Sequence, residues 1–344
     1  MKATYQKHTL QFKRPSGTSR GVLKTKETWF ISISENEKFG IGECGILRGL
    51  SIDDQPDYED KLQWTCRNIH LGKEKLLQEL IAFPSIQIGV EMAFTSFEAK
   101  NPYVLFPSNF TQGKQGITIN GLIWMGEFNF MKKQIEEKLK QGFSCVKLKI
   151  GAIDFEAELA LLKKIRKDFS PDEVELRVDA NGAFHPDDAL EKLKRLSEFD
   201  LHSIEQPIKA NQWKSMADLC AKTPLPIALD EELIGVFDVT KRKKLLQTIQ
   251  PQYIILKPSL VGGFANTKQW IDLTEKQKTG WWITSALESN VGLNAIAQFT
   301  QTLQNKMPQG LGTGSLYTNN ISSPLEVKGE KLWYNPNLTW GKID

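Results

Sequence analysis

Cysteine is scarce in this 344-residue chain: Cys44, Cys66, Cys145 and Cys220 lie far apart, and no two stand in a CxxC spacing. That argues against a disulfide framework or a thiolate zinc site and reads as reduced core thiols. Histidine is equally scarce, with four residues and no HExxH, so any metal is expected to be held by oxygen. No apolar run is long enough to suggest a membrane-spanning helix. The stretch Met1–Leu10 is polar and strand-like, unlike a secretory signal, so a cytoplasmic protein is expected. Charge is nearly balanced, 44 Lys and Arg against 41 Asp and Glu. A net +3 gives no reason to expect a nucleic-acid or membrane partner. What is present, 40% hydrophobic and 25% charged residues, is enough for an ample globular core.

The first third of the chain reads as strands followed by helices. Residues 3–13 alternate apolar and polar, and 26–35 place Trp29, Ile31 and Ile33 on one face. Phe39–Glu43 continues as a third strand, giving an antiparallel meander. Between the first two strands, Pro15–Gly21 reads as a turn-rich loop. Helical stretches are expected over 57–82 and 85–100. Together these predict an α+β capping domain over 1–113, ending in the loop 106–113.

From residue 114 to 314 the pattern changes to strands alternating with amphipathic helices. Strands are expected at 117–124, 146–150, 175–179, 201–205, 227–230, 253–257 and 281–285, with a weak eighth near 309–312. Helices are expected to start near Glu127, Asp154, Pro186, Gln212, Phe237, Phe264 and Val291. A repeat of about 25–30 residues is one βα unit, so the prediction is a modified TIM-like (β/α)8 barrel. The tail, 315–344, has no such pattern and is expected to fold back and complete the capping domain.

Chemistry in such a barrel gathers at the carboxyl ends of the strands. Here apolar runs end in Lys149, Asp179, Glu205, Asp230, Lys257 and Ser285. Any one carboxylate alone could be a solvated strand end or a helix cap. Three on adjacent strands converge on one point and need a cation, and hard oxygen ligands suit Mg2+. Lys147 and Lys149, two apart in one strand, share a face. Alone they read as a solvated edge strand, but as neighbouring ammonium groups they would lower each other's pKa and supply a base. Lys257 would stand across the barrel mouth from them. The set suits removal of a proton beside a metal-bound carboxylate, with the metal stabilising the enediolate.

Lys147-Leu148-Lys149, Asp179-Ala180-Asn181, Glu205-Gln206-Pro207, Asp230-Glu231 and Lys257-Pro258, in that order, resemble the enolase superfamily in its muconate-lactonising subgroup. The resemblance implies Mg2+ ligands at Asp179, Glu205 and Asp230, with Mn2+ able to substitute. It implies Lys149 as acid and base, Lys147 tuning it, and Lys257 opposite. Lys257–Gly263, Ser285–Gly292, Gly310–Gly314 and Tyr317–Asn320 look most like the o-succinylbenzoate synthases. These dehydrate 2-succinyl-6-hydroxy-2,4-cyclohexadiene-1-carboxylate in menaquinone biosynthesis. The alternative within the superfamily is an N-acylamino acid racemase or dipeptide epimerase. The epimerases usually carry Asp-x-Asp near strand eight, where this chain has Gly312-Thr313-Gly314. The expected partner is a small-molecule carboxylate.

Other candidates keep two readings. Glu231 either hydrogen-bonds a lysine or begins a helix. Asn181 either lies near the metal or makes an ordinary Asn-Gly turn. Ser285 and Ser289 either touch substrate or cap the next helix. The N–H groups of 289–292 could receive the succinyl carboxylate at a helix start, and Gly312 gives strand eight a neutral surface. Loops 16–21 and 47–52 would close over the mouth, where Arg20 and Arg48 either meet a carboxylate or, as lone arginines more often do, stand as surface charges. His185 and His202 read as structural.

Overall fold

The computed structural model describes residues 1–18, 21–124, 126–151 and 153–343. Its first sheet is antiparallel, in the order β1 (Lys2–Thr18), β2 (Gly21–Glu35), β3 (Lys38–Gly45). The alternation of β2 points Trp29, Ile31 and Ile33 into a core shared with Leu62, Leu76 and Val90. Helix Pro84–Glu98 lies across this sheet and is buried along most of its length. The expected meander is present, but its first hairpin is longer than the sequence suggested. Pro15 does not end β1, which runs on to Thr18 past a register irregularity between Gln11 and Ser16. A bulge tolerates proline because the missing N–H is not needed by the ladder. The helical stretch expected over 57–82 is broken into Tyr58–Arg67, a 3-10 turn at Ile69–Leu71, and Gly72–Glu79.

The second half is a barrel. Strand β4 (Ile117–Thr118) precedes a parallel sheet of β5 (Gly121–Ile123), β6 (Cys145–Lys149), β7 (Glu175–Asp179), β8 (Ser203–Glu205), β9 (Ile227–Leu229), β10 (Tyr253–Leu256) and β11 (Gly280–Ile283), adjacent in chain order. The helices between them begin within two residues of the expected starts. Closure is made by two residues in place of a full eighth strand. Gly310 pairs in parallel with Thr284, and Gln309 with Ile119. The single strand expected at 117–124 is therefore divided. Its first part pairs with the tail, Ile119 meets the closing residues, and its last part starts the parallel sheet.

The tail contains a hairpin, β12 (Leu325–Lys328) and β13 (Lys331–Tyr334), and β13 adds to β4. Tail residues also reach the first sheet: Tyr317 bridges Phe12, and Asn319 Oδ1 accepts from the Gln11 N–H at 2.8 Å. Trp340 stacks on Tyr103 with ring centroids 4.4 Å apart. Among the described residues no helix is long and apolar enough to cross a membrane.

Candidate active site

Because β6, β7 and β8 are in parallel register, their last residues lie side by side: Lys149 pairs with Asp179, and Asp179 with Glu205. One strand further round, Glu205 is level with Ala228, and Asp230 comes two residues later, just past the end of β9. Carboxylate oxygens of Asp179, Glu205 and Asp230 lie within 4.8 Å of one another, and all three residues are buried. Gln206 holds the third in place: its buried side-chain oxygen accepts the Asp230 N–H at 3.1 Å and the Glu232 N–H at 3.2 Å.

Three ammonium groups face this cluster. Lys147 Nζ lies 2.6 Å from Glu205 Oε2 and 3.4 Å from Asp179 Oδ2. Lys149 Nζ lies 2.6 Å from Asp179 Oδ2 and donates to Asn181 Oδ1 at 2.8 Å. Lys257 pairs with Asp230 from the other side. Asn181 in turn donates to Glu231 Oε1 at 3.0 Å, so it links Lys149 to the residue after Asp230. Glu231 begins the 3-10 turn Glu231–Leu233, and Asn181 stands between it and Lys149.

The expected mutual lowering of the lysine pKa values is not what the site shows at Lys147. Burial disfavours its charge, but Glu205 and Asp179 outweigh burial and hold the ammonium above its ordinary value. Lys257 behaves the same way, burial being outweighed by Asp230 and Glu231. Counting only like charges on one strand omitted the carboxylates across from them. Burial would raise Asp179, yet Lys149 and Lys147 keep it well below the usual carboxylate range. Burial pushes Glu205 up to about 8 against the pull of Lys147, with Asp179 and Asp230 adding to the rise.

These residues fit a divalent cation. The donors are all carboxylate oxygens, the chemistry hard cations take. Glu205 Oε1 is buried with no hydrogen-bond partner, an acceptor that is costly to leave unmade.

The cavity beside the cluster is lined by Lys147, Lys149, Lys257, Ser285 and Gly312. Leu47 and Leu50 of the loop expected over the mouth line it, and sequence reasoning missed the rest of its apolar wall, Leu23 of β2 with Leu122 and Trp124. Ser285 sits between Glu288, to which it donates at 2.6 Å, and the Thr313 hydroxyl at 2.8 Å. Ser289 is not among the lining residues and caps helix Asn290–Thr302, accepting from Val291 N at 3.1 Å.

One further expectation is overturned, and the two readings of Arg48 are separated. The N–H groups at 289–292 are not open to a substrate carboxylate, because Glu43 of β3 occupies them. It accepts from Ser289 N and Gly292 N at 2.8 Å each and from the Ser289 hydroxyl at 2.5 Å. Gly292 permits that approach, since a Cβ there would come within 2.9 Å of Glu43 Oε2. Arg48 is exposed and engaged by its own neighbours, Glu27 at 2.5 Å and Asp54 at 2.5 Å, so it faces no cavity carboxylate. Arg20 lies outside the described residues. His185 is an exposed helix cap, and His202 packs on Tyr253.

Known proteins place this arrangement. Residues 131–333 match the family model described as enolase C-terminal domain-like. An o-succinylbenzoate synthase of Desulfotalea psychrophila is 48% identical, over 96% of this chain and 98% of that one. The crystal structure of MenC from Desulfotalea psychrophila LSv54, 45% identical, superposes with a TM-score of 0.87, covering 97% of this chain and 99% of that one. An L-Ala-D/L-Glu epimerase of Bacillus subtilis is 28% identical over 85% of this chain and 82% of its own. Matched by the family model over more than half its length and by a relative 48% identical from end to end, the chain belongs to the enolase superfamily.

Proposed function

We propose that the chain is an o-succinylbenzoate synthase, dehydrating 2-succinyl-6-hydroxy-2,4-cyclohexadiene-1-carboxylate to 2-succinylbenzoate in menaquinone biosynthesis. The observation that carries this is the end-to-end likeness, at 48% identity, to the Desulfotalea o-succinylbenzoate synthase. The lysines lining one cavity beside a carboxylate cluster supply the chemistry.

Asp179, Glu205 and Asp230 would hold Mg2+, with Mn2+ a workable substitute. When bound, the cation supplies positive charge that stabilises the extra negative charge developing on the substrate carboxylate. Lys149, acting as the neutral amine, takes the proton from the ring carbon next to that carboxylate and becomes the ammonium, and the C–H electron pair moves into the carboxylate. The pair then returns to the ring as the C–O bond to the hydroxyl breaks. Lys149 gives its proton to the departing hydroxyl, which leaves as water, and the ring becomes aromatic. Asn181 orients the Lys149 amine. Lys147 sits behind it between two carboxylates, and Lys257 faces the ring as a cation. The apolar wall of Leu23, Leu47, Leu50 and Trp124 keeps water from the reacting carbon.

Residues 1–113 would act as the cap, 114–314 as the catalytic barrel and 315–344 as the strap joining them, in a cytoplasmic enzyme. Purified protein assayed with the cyclohexadiene substrate tests the reaction. Conversion that stops with EDTA and resumes with Mg2+ supports it, and no Mg2+-dependent conversion overturns it. One observation also favours an N-acylamino acid racemase activity: Lys149 and Lys257 line the same cavity, as a two-base reaction requires. Exchange of the α-hydrogen of N-succinyl amino acids in deuterated water tests that second activity.

A further inference from the structure

The stretch Tyr317–Asn320 takes no part in the chemistry above, yet it joins the capping sheet, the barrel and the cavity wall. Along β1, Lys13 N donates to Leu316 O at 2.8 Å and Thr318 N to Gln11 O at 2.9 Å. Asn319 Nδ2 donates to Thr9 O at 2.8 Å. Toward the barrel, Asn320 Oδ1 accepts from Asn290 N at 2.9 Å, at the start of the helix that follows β11. Tyr317 is buried, with its ring centroid 4.8 Å from that of Phe12. Its hydroxyl donates to the carbonyl oxygen of Leu287 at 2.7 Å.

Leu287 is where this segment meets the catalytic cavity. It is half-buried and lines that cavity together with Lys257 and Ser285. Its φ is +63°, in the left-handed region. Among the described residues, the other non-glycine residues with positive φ are Asn, Asp, Gln or Lys, and Leu287 alone is apolar. A leucine is disfavoured there because its Cβ crowds the following carbonyl oxygen. Such residues persist only where the surroundings over-determine them, and they gather at ligand sites. Two hydrogen bonds fix this one. Leu287 N donates to the Ser285 hydroxyl at 3.0 Å, and Tyr317 holds the carbonyl. Glycine would take this φ freely. The leucine therefore brings something glycine lacks, an aliphatic side chain on the cavity wall.

We infer that Tyr317 is a positioning residue for substrate binding: from the tail, outside the cavity, its hydroxyl holds Leu287 in the left-handed conformation that sets an aliphatic side chain against the substrate. This rests on the function proposed above. The cost of that conformation and the worth of one hydrogen bond are of the same order. Without the hydroxyl, Leu287 is free to relax away from the cavity. Docking of the tail on β1 thereby bears on which substrate is held, as well as on the fold.

The test compares KM and kcat, with the cyclohexadiene substrate and Mg2+, for the wild type, Tyr317→Phe, Leu287→Gly and the double variant. Tyr317→Phe keeps the ring on Phe12 and removes only the hydroxyl. Its KM should rise about fivefold, the scale of one lost hydrogen bond, while kcat changes less than twofold. Leu287→Gly should raise KM at least about tenfold, the scale of a lost leucine contact. The double variant should match Leu287→Gly within twofold, because glycine leaves no side chain to position. Leu287→Asn, which also accepts a left-handed φ, carries the same expectations where the glycine variant does not fold. A KM for Tyr317→Phe within twofold of wild type, a loss that falls on kcat instead of KM, or effects that multiply fully in the double variant overturns the inference. A wild type that fails to convert the diene overturns the proposed reaction, whereas active wild type with an unaffected Tyr317→Phe overturns only the positioning role.

Discussion

Buried carboxylates occur in two regions of this molecule, and what faces their oxygens differs. At the seam between the first sheet and the barrel, Glu43 and Glu91 each cap the start of a barrel helix. Glu91 accepts from Phe264 N at 2.5 Å and Ala265 N at 3.2 Å, and Glu43 from Ser289 N and Gly292 N. Each has backbone partners that cannot leave, joined at Glu43 by the short hydroxyl side chains of Thr28 and Ser289. At the barrel mouth, Asp179, Glu205 and Asp230 are faced mainly by ammonium groups on long side chains; the Asn181 N–H holds one oxygen of Asp179 at 3.0 Å, and one oxygen of Glu205 has no hydrogen-bond partner. Backbone donors make a carboxylate a fastening. Movable donors leave it able to exchange partners, which a metal seat requires. Both regions are desolvated, so burial alone does not separate the two roles.

The comparison can be broken first at the mouth. Lys149→Ala should lower kcat by roughly 10³-fold, the scale of a lost general base, while calorimetry shows Mg2+ still binding. Near wild-type turnover would remove Lys149 from the mechanism. Next, Glu205→Gln should weaken Mg2+ at least about 100-fold in the same titration. Glu43→Ala should reverse that outcome. Mg2+ affinity should stay within threefold, while two helix N–H groups lose their partner, at about 1–3 kcal/mol each. A drop in Tm of about 5 °C by scanning calorimetry is expected. Equal metal loss in both variants would erase the difference between the two regions.

The smallest effect concerns Asp53, a third kind of buried carboxylate. Burial pushes it up to about 6, although Ser85 N and Oγ donate to one oxygen. Because the folded value exceeds the unfolded one, its contribution to stability is complete below about pH 4. It is lost as pH rises through 6. Asp53→Asn keeps an acceptor for Ser85 and removes the charge. Its Tm advantage over wild type should grow by about 2 °C between pH 4.5 and pH 7.5. A gap independent of pH would show that Asp53 titrates normally.

The mouth was legible in the sequence because each of its residues ends an apolar run of a strand. Parallel register then brings Lys149, Asp179 and Glu205 level, and the next two strands carry Asp230 and Lys257 two residues further each. The seam was not legible. Glu43 is one polar residue in a strand, and its partners lie 246 and 249 residues away. Nothing local marks Glu43 as the group that fills the helix start at 289–292, so that start looked open to substrate. The contact of Tyr317 with Leu287 was hidden for the same reason. The charge state of Lys147 was misread because it depends on residues of two other strands. The strand at 117–124 looked continuous because its hydrophobic alternation continues across a change of pairing partner.

The two-residue closure of the barrel carries one more consequence. Gln309 joins its neighbours with its side chain as well as its backbone. Its Oε1 accepts from Ile283 N at 2.7 Å, while Thr118 O takes its N–H and its own carbonyl takes that of Asn120. A glutamine thus acts as a clasp, doing with an amide side chain what another strand residue would otherwise do. The chain is then free to turn immediately into Gly312 and Thr313 at the cavity wall. The last stave of the barrel is short, and the length it gives up becomes room for substrate.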